Sequence, residues 1–154
     1  MCGTPEYIAP EVLLGKGHGI AVDWWTLGIL IYEMVVGQPP FCDDDPMGIY
    51  QKILTGKIYF PKFFDKSAKT LVKSLLQADL SKRFGNLQAG SKDILDDPWI
   101  ASVSLDKLLS RQLPAPFKPF TRNEADMSNF DAVNEHEDSA NESMLHDEDP
   151  FIDW

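Results

Sequence analysis

The sequence predicts a mainly α-helical fold, and three features of its patterning support this. Residues 23–36 read DWWTLGILIYEMVV, a run that is apolar on nearly every face, as in a helix buried on all sides. Later segments repeat apolar residues at helical spacing and end at residues that terminate helices. Only the stretch KIYFP has an extended pattern. The run at 23–36 is too short to span a bilayer, so we interpret it as the central core helix.

The helix predicted after the core helix has a clear signal at both ends. In DDDPMGIYQKILTG, Asp45 stands at the cap position, Pro46 at the first helical position and Gly56 at the end. Between them, Ile49 and Ile53 lie on one face. We therefore predict an amphipathic helix between Asp45 and Gly56.

Three further helical segments follow. The segment KSAKTLVKSLLQ carries leucines and a valine at helical spacing, and we place its start at Ser67 or nearby. The segment SKDILDDPW predicts a shorter helix that stops at Pro98. Beyond it, Leu105, Leu108 and Leu109 indicate one or two more helical turns.

The composition changes after Leu113. The stretch LPAPFKPF carries three prolines and favours an extended strap. Residues 1–122 hold 14 Lys/Arg and 13 Asp/Glu, whereas residues 123–154 hold 11 Asp/Glu and no Lys/Arg, so the net charge of −10 is concentrated in the tail. An acidic tail repels nucleic acid and anionic lipid, and we expect neither as a partner. We interpret 134–150 as a solvated terminus, and the aromatic residues at the end as a docking element.

Residue spacing alone identifies no catalyst and no metal site. The run GKGHG lacks the third glycine of a dinucleotide fingerprint, because Ile20 stands in its place, and no strand precedes it. The three aspartates at 43–45 lack the spacing of a calcium loop. The three histidines form no zinc pattern with Cys2 and Cys42, and two cysteines are too few for a disulfide framework.

Five motifs together carry a resemblance to a known family. GTPEYIAPE, DWWTLGILIYEM, GQPPF, KRFGNL and SNFD resemble, in one register, the carboxyl-terminal half of the AGC group of serine/threonine protein kinases. Within that group the similarity is greatest to the cyclic-AMP-dependent kinases. The resemblance implies the helical carboxyl-terminal (large) lobe of a protein-kinase fold, with the amino-terminal lobe absent. It assigns residues 1–112 to a partial kinase domain and 113–154 to the extended AGC tail.

The resemblance also implies which parts of the kinase machinery this sequence lacks. Such kinases carry a glycine-rich loop, an ATP-binding lysine, an H-R-D catalytic aspartate and a D-F-G metal ligand before the Ala-Pro-Glu motif. None of these motifs occurs in the 154 residues. We therefore expect a longer parent protein that uses ATP and Mg²⁺. We expect this fragment alone to be inactive and to bind neither tightly.

The amino-terminal loop of this sequence corresponds to the substrate-facing loop of the family. Met1, Pro5 and Ile8 match an apolar pocket for the substrate residue after the target serine or threonine. Thr4 matches a hydroxyl that supports the catalytic aspartate and positions the acceptor. Glu6 and Tyr7 fit the same loop, as substrate-facing residues.

Two charged positions have assignments on the core helix. Glu33 matches a carboxylate that pairs with an arginine before the phosphorylated residue, because a carboxylate can hold a forked guanidinium. A surface charge at the helix end is the alternative for Glu33. Asp23 matches an aspartate that hydrogen-bonds the catalytic loop, with simple helix capping as its alternative.

Two further assignments concern packing. The resemblance pairs Glu11 with Arg83 in a structural ion pair that ties the loop to the helical lobe. Trp25 fits a packing residue beneath the substrate loop, although core filling explains it equally well.

The remaining assignments concern docking and the tail. Tyr50 matches a residue of the helix on which a regulatory subunit docks, and Phe130 matches an aromatic beside the adenine pocket. Phe151 and Trp154 resemble the terminal hydrophobic motif, which docks on the small lobe. The family's tail phosphoserine falls in register on Asn141, so a phosphosite there would use Ser139 or Ser143.

The sequence leaves two functions open. In the first, the chain is part of a kinase that phosphorylates Ser/Thr in basic protein substrates, controlled by a cAMP-binding regulatory subunit. In the second, it is a non-catalytic lobe that binds substrates or regulatory subunits. Both place the protein in the cytoplasm, with the nucleus as a further compartment.

Overall fold

The computed structural model describes residues 3–131. The chain divides into two compact units, with the boundary between Gln112 and Leu113. Throughout the described residues the regular elements are helices, without a strand, so the predicted mainly α fold is confirmed. None of these helices is both long enough and apolar enough to cross a bilayer.

The first unit contains one 3-10 turn and seven α-helices in the described part of the chain. The turn spans Pro5–Tyr7. The helices are α1 Pro10–Leu13, α2 Ala21–Val36, α3 Pro46–Thr55, α4 Lys66–Leu75, α5 Lys92–Leu95, α6 Pro98–Ala101 and α7 Leu105–Leu109.

Helices α2 and α3 end at the glycines that follow them. Gly37 has φ +89° and Gly56 has φ +67°. This is a left-handed backbone conformation that residues with a Cβ atom rarely adopt. The prediction for the start of α3 is correct at Pro46 but wrong in mechanism, because the Asp45 side chain makes no capping hydrogen bond. Instead, the carboxylate of Asp43 lies 2.8 Å from the Lys52 ammonium in an exposed ion pair.

Side chains cap the starts of α4 and α6. Asp65 accepts a hydrogen bond from the backbone N–H of Ala68 at 2.9 Å, so α4 begins one residue before Ser67. The predicted shorter helix is present as α5, but it ends at Leu95, so Pro98 is not the residue that stops it. Pro98 is the first residue of α6, and Asp97 caps that helix by accepting from the N–H of Trp99 at 2.9 Å.

The core lies mainly between α2 and α4, which pack closely at one glycine. A Cβ atom at Gly28 would lie 2.9 Å from both Leu75 Cβ and Leu76 Cδ2, so any side chain at this position would push the helices apart. The apolar residues buried to the greatest extent are Trp25, Ile29, Phe41, Ile53, Ala68, Leu71, Val72 and Leu75.

The prediction that α2 is buried on all sides is wrong. Leu30 and Met34, which lie one turn apart, are 43% and 66% exposed. The opposite side of α2 carries the fully buried Trp25 and Ile29. An all-apolar composition therefore does not determine which sides of a helix are covered; that depends on where the neighbouring elements lie.

The second unit, as far as Asp131, consists of turns and irregular backbone. Its proline-rich start forms no helix, as the predicted strap requires. Asn129 donates from its side-chain amide to the Phe120 carbonyl at 3.0 Å, which closes a local loop. The side chains of Phe117 and Phe120 are each 79% exposed.

Candidate functional site

The amino-terminal loop is held in a defined shape by its prolines and short-range hydrogen bonds. Pro5 opens the 3-10 turn, and the N–H of Tyr7 donates to the Thr4 carbonyl at 3.1 Å. The N–H of Ile8 donates to the Pro5 carbonyl at 3.2 Å. After Ile8 the chain is extended for one residue and enters α1 at Pro10.

A hydrogen bond joins this loop to the core helix. The Tyr7 hydroxyl donates to Oε2 of Glu33 at 2.5 Å, across 26 residues of sequence. This hydrogen bond, together with burial and the charge of the carboxylate, raises the pKa of the Tyr7 phenol above its usual value of 10.0. The phenol therefore stays protonated and acts as a donor throughout the physiological pH range.

Glu33 occupies a position from which it can act on more than one donor. It lies near the carboxyl end of α2 and is partly exposed. Its Oε2 atom accepts from Tyr7, and Oε1 makes no hydrogen bond to another side chain or backbone group of residues 3–131. A carboxylate accepts at both oxygens, so one remains available for an external cation.

The second anchor of the loop is a buried ion pair between Glu11 and Arg83. Nη1 of Arg83 lies 2.7 Å from Oε1, and Nη2 lies 2.9 Å from Oε2, so both pairs of atoms meet in a fork. Arg83 is 0% exposed and Glu11 6%. The two residues that the resemblance pairs are thus in direct contact across 72 positions of sequence.

Two further N–H donors of Arg83 reach backbone carbonyls. Nη1 also donates to the Ala21 carbonyl at 2.9 Å, and Nε donates to the Gln77 carbonyl at 2.8 Å. The guanidinium therefore joins α1, the start of α2 and the segment after α4. These hydrogen bonds matter because a buried charge without partners strongly destabilises the folded state.

An aromatic layer packs against this ion pair. The guanidinium carbon of Arg83 lies 5.2 Å from the centre of the Trp25 ring, within cation–π range. Trp25 in turn stacks on Phe41, with ring centres 5.9 Å apart and planes 6° apart. Both aromatic residues are 0% exposed. Trp25 therefore fills the core and supports Arg83 at the same time.

Stability at low pH depends on the Glu11 carboxylate. Burial opposes its ionisation, but the hydrogen bonds and charge of Arg83 outweigh burial and lower the pKa of Glu11 below 4.5. Because the folded state holds the carboxylate ionised, its contribution is complete above the unfolded-state pKa and is lost as pH falls through the folded-state pKa. We expect the Glu11 contribution to the unfolding free energy to be constant down to about pH 5 and to fall on further acidification.

Urea unfolding at a series of pH values tests this expectation, with Glu11→Gln as the comparison. The variant should be less stable at neutral pH, and its stability should fall less steeply on acidification. The carboxylates whose pKa is lowered elsewhere, such as Asp65, remain in both proteins and cancel. Identical slopes in the two proteins would contradict a role for the ionised Glu11 carboxylate.

The residues proposed to assist catalysis are both exposed. Thr4 stands at the start of the 3-10 turn, and its side chain makes no capping hydrogen bond. Asp23 lies in the first turn of α2, whereas Ile20 occupies the cap position, also without a capping hydrogen bond. Simple capping, the alternative for Asp23, is therefore wrong.

The docking residues Tyr50 and Phe130 lie in different units. Tyr50 is partly buried on α3, next to the buried Ile49. Phe130 lies in the second unit and is 75% exposed. Five predicted residues lie outside the described part of the chain: Met1, Ser139, Ser143, Phe151 and Trp154.

Sequence reasoning missed several contributors to the site. The carbonyls of Ala21 and Gln77 complete the Arg83 hydrogen bonds, and backbone groups leave no signal in side-chain patterns. Phe41 was assigned no role, although its place in an apolar GQPPF turn could have indicated a buried ring. Among the described residues no three His, Cys, Asp or Glu side chains converge as a metal site.

Comparison with known proteins gives consistent similarities. A family model described as the protein kinase domain matches residues 1–100. The chain is 50% identical over 137 residues to the human cAMP-dependent protein kinase catalytic subunit PRKX, covering 89% of this chain and 38% of that protein. It is 50% identical to the Dictyostelium discoideum cAMP-dependent protein kinase catalytic subunit, covering 89% of this chain and 21% of the relative.

A third relative extends the similarity over nearly the whole chain. The Saccharomyces cerevisiae cAMP-dependent protein kinase type 3 is 43% identical over 154 residues, covering 99% of this chain. The chain spans 38% of that protein's length, well under half, as with the other two. The similarities confirm the resemblance to cyclic-AMP-dependent kinases that the five motifs indicated.

Proposed function

Because this chain belongs to the protein kinase family, we propose that it is part of a serine/threonine kinase that phosphorylates basic protein substrates with ATP. Within that kinase these residues supply substrate recognition. The names of the relatives support control by a cAMP-binding regulatory subunit, which would dock at Tyr50 on α3. The cytoplasm, and also the nucleus, are the proposed compartments.

In the proposed kinase, ATP and Mg²⁺ would be held mainly by motifs that these 154 residues do not contain. The described residues hold no group of His, Cys, Asp and Glu arranged for a metal, and the sequence has no D-F-G motif or glycine-rich loop. We therefore propose no site for the nucleotide phosphates or the metal among residues 3–131, and Phe130 stays the residue proposed to lie beside the adenine. We assign the residues of this chain binding and orientation, and no step of phosphoryl transfer.

The observation that carries the proposal is the hydrogen bond between Tyr7 and Glu33. It fixes the carboxylate beside the substrate-facing loop while leaving Oε1 available. A fixed carboxylate recognises a guanidinium better than a mobile one, because less side-chain entropy is lost on binding. Glu33 is therefore the proposed site for an arginine that precedes the phosphorylated residue.

The loop itself would hold the other side of the acceptor. Pro5 and Ile8 are half-buried and present apolar surface near the exposed Thr4, while the intervening Glu6 and Tyr7 complete the turn. An apolar residue after the target serine would contact Pro5 and Ile8. Thr4 would position the acceptor once the catalytic aspartate of the parent is present.

A binding module without activity is the second candidate. The catalytic motifs are absent from these 154 residues, whereas the substrate loop and Glu33 are held in place by the chain's own contacts. A protein of this length would bind basic substrates or regulatory subunits and would transfer no phosphate. Native mass separates the two: a product near 17.3 kDa favours the module, and a much larger one favours the kinase.

Substrate recognition can be tested on the chain alone. Fluorescence anisotropy with a labelled peptide that carries arginines before a serine should show binding, and Glu33→Gln should weaken it about tenfold. Glutamine still accepts from Tyr7, so the loop should remain in place while the charge is lost. An unchanged affinity would overturn the assignment of Glu33.

The matched control is Asp44→Asn. Asp44 is an exposed residue in the loop before α3, and its carboxylate forms no ion pair among the described residues. The substitution should leave peptide affinity within about twofold. A peptide with alanines in place of the arginines should bind both variants and the unsubstituted 154-residue chain equally weakly. Phosphotransfer by the purified chain would overturn the account of its missing residues.

A further inference from the structure

The outward face of α4 carries three lysines in one row. Lys66, Lys69 and Lys73 follow one another at positions i, i+3 and i+7, which lie on one side of a helix. The opposite side holds Ala68, Leu71, Val72 and Leu75, all 0% exposed. The lysine face, defined as Lys66, Lys69 and Lys73, is thus directed away from the core.

One aromatic ring, that of Phe60, adjoins the lysine face. The ammonium groups of Lys69 and Lys73 lie 4.9 and 5.9 Å from the centre of the Phe60 ring. In the same segment before α4, Tyr59 and Phe63 are 76% and 70% exposed. Two lysines beside a half-buried aromatic ring form a surface that can receive both negative charge and apolar groups.

A cavity opens at the carboxyl end of the lysine face. It has a volume of about 410 Å³, within the usual range for ligand sites. Lys73 is its charged lining residue. The other lining residues are Trp25, Thr55, Gly56, Ile58, Phe60, Leu76, Gln77 and Ala78. The end pocket, as we name this cavity, therefore has a mixed polar and apolar lining with one positive charge.

The positive charge of this region is not neutralised locally. Residues 57–73 contain five lysines and one acidic residue, Asp65. Asp65 is committed to the start of α4, where it accepts from Ser67 and from the N–H of Ala68. Within residues 3–131, no carboxylate lies within ion-pair distance of the lysine face.

We propose that the lysine face and the end pocket bind an acidic segment of a partner polypeptide. Carboxylates of the partner would lie along the lysines, and one apolar side chain would enter the end pocket. Seven residues of helix span about 10 Å, the length of about three residues of extended chain. A short acidic segment is therefore sufficient to cover the face.

Two features favour a polypeptide over other polyanions. A lipid surface is flat and cannot fill a concave pocket, whereas a single side chain can. The chain's net charge of −10 repels long polyanions such as nucleic acids, while a segment with a few carboxylates meets chiefly the local field of the lysines. The site is separate from Glu33 and does not depend on the proposed kinase function.

The first test measures binding of a labelled acidic peptide with one central leucine to the full 154-residue chain. Lys69→Gln combined with Lys73→Gln should weaken binding about tenfold, because two charge contacts are lost. Lys16→Gln combined with Lys107→Gln removes the same charge elsewhere and should change affinity less than about twofold. Equal losses in the two double variants would overturn the proposal, because net charge alone would explain binding.

The second test concerns the end pocket. Replacing the peptide's leucine with alanine should weaken binding to the unsubstituted chain about fivefold. It should not weaken binding to the Ala78→Phe variant, because the new phenylalanine ring would occupy the pocket. Circular dichroism should show that the exposed substitutions leave the helices intact. An equal effect of the leucine in both proteins would overturn the pocket's role. The proposal of an acidic polypeptide partner would be overturned if a peptide with glutamines in place of glutamates bound as tightly as the acidic peptide. Tighter binding of an oligonucleotide or of anionic vesicles than of the acidic peptide would overturn it as well.

Discussion

Replacing Arg83 with methionine is expected to lower the unfolding free energy by about 3–5 kcal/mol. Methionine retains much of the apolar volume of the side chain but removes four hydrogen bonds, two of them to Glu11. The Glu11 carboxylate is then left 6% exposed without its counter-ion. Urea unfolding followed by circular dichroism measures the loss.

The neighbouring Lys82 supplies a matched control. It forms an exposed ion pair with Asp79 at 3.2 Å, and Lys82→Met should cost about 0–1 kcal/mol. Combining Arg83→Met with Glu11→Gln should recover part of the loss, because the stranded charge is removed. If Arg83→Met and Lys82→Met were equally mild, the buried fork would not stabilise the fold.

Replacing Trp25 with alanine is expected to cost about 3–5 kcal/mol and to weaken binding of arginine-containing peptides. The substitution opens a cavity where a fully buried indole stacks on Phe41 and supports the Arg83 guanidinium. Because Arg83 holds Glu11 just after the amino-terminal loop, loss of the ring should loosen that loop. Thermal unfolding and peptide anisotropy report the two effects.

Conservative and neighbouring variants separate these effects. Trp25→Phe keeps a ring in the stack and should cost less than half as much as alanine. Trp24→Ala removes an adjacent, half-buried tryptophan that packs on Gly85 and should leave peptide affinity nearly unchanged. If the Trp25→Ala variant had the same melting temperature as the unsubstituted chain, the aromatic layer would make no contribution to stability.

Local sequence signals were sufficient for most helix positions. Gly56 ends α3 because few other residues adopt positive φ, and Pro46 begins α3 because its fixed φ suits the first turn. Pro98 was misread because a proline is compatible with the start of one helix as well as the end of another, and Asp97 decides between them by capping α6. These are choices made within a few residues.

The candidate site was only partly predictable. Family motifs indicated Glu11, Arg83, Tyr7 and Glu33, since those residue types stand in the matching register. That Tyr7 donates to Glu33 did not follow from either motif alone, because the two residues are 26 positions apart. Long-range contacts of this kind arise only when the loop is packed against the finished helix.

By itself, the sequence determined the helical class, the terminators and the segregation of acid into the tail, since these depend on residues close together in the chain. Tertiary structure alone decided which side of α2 is buried, which carbonyls complete the Arg83 hydrogen bonds, and where the α4 lysines meet an aromatic ring. Burial and hydrogen bonding across dozens of residues depend on the positions of whole elements. No local pattern records those positions.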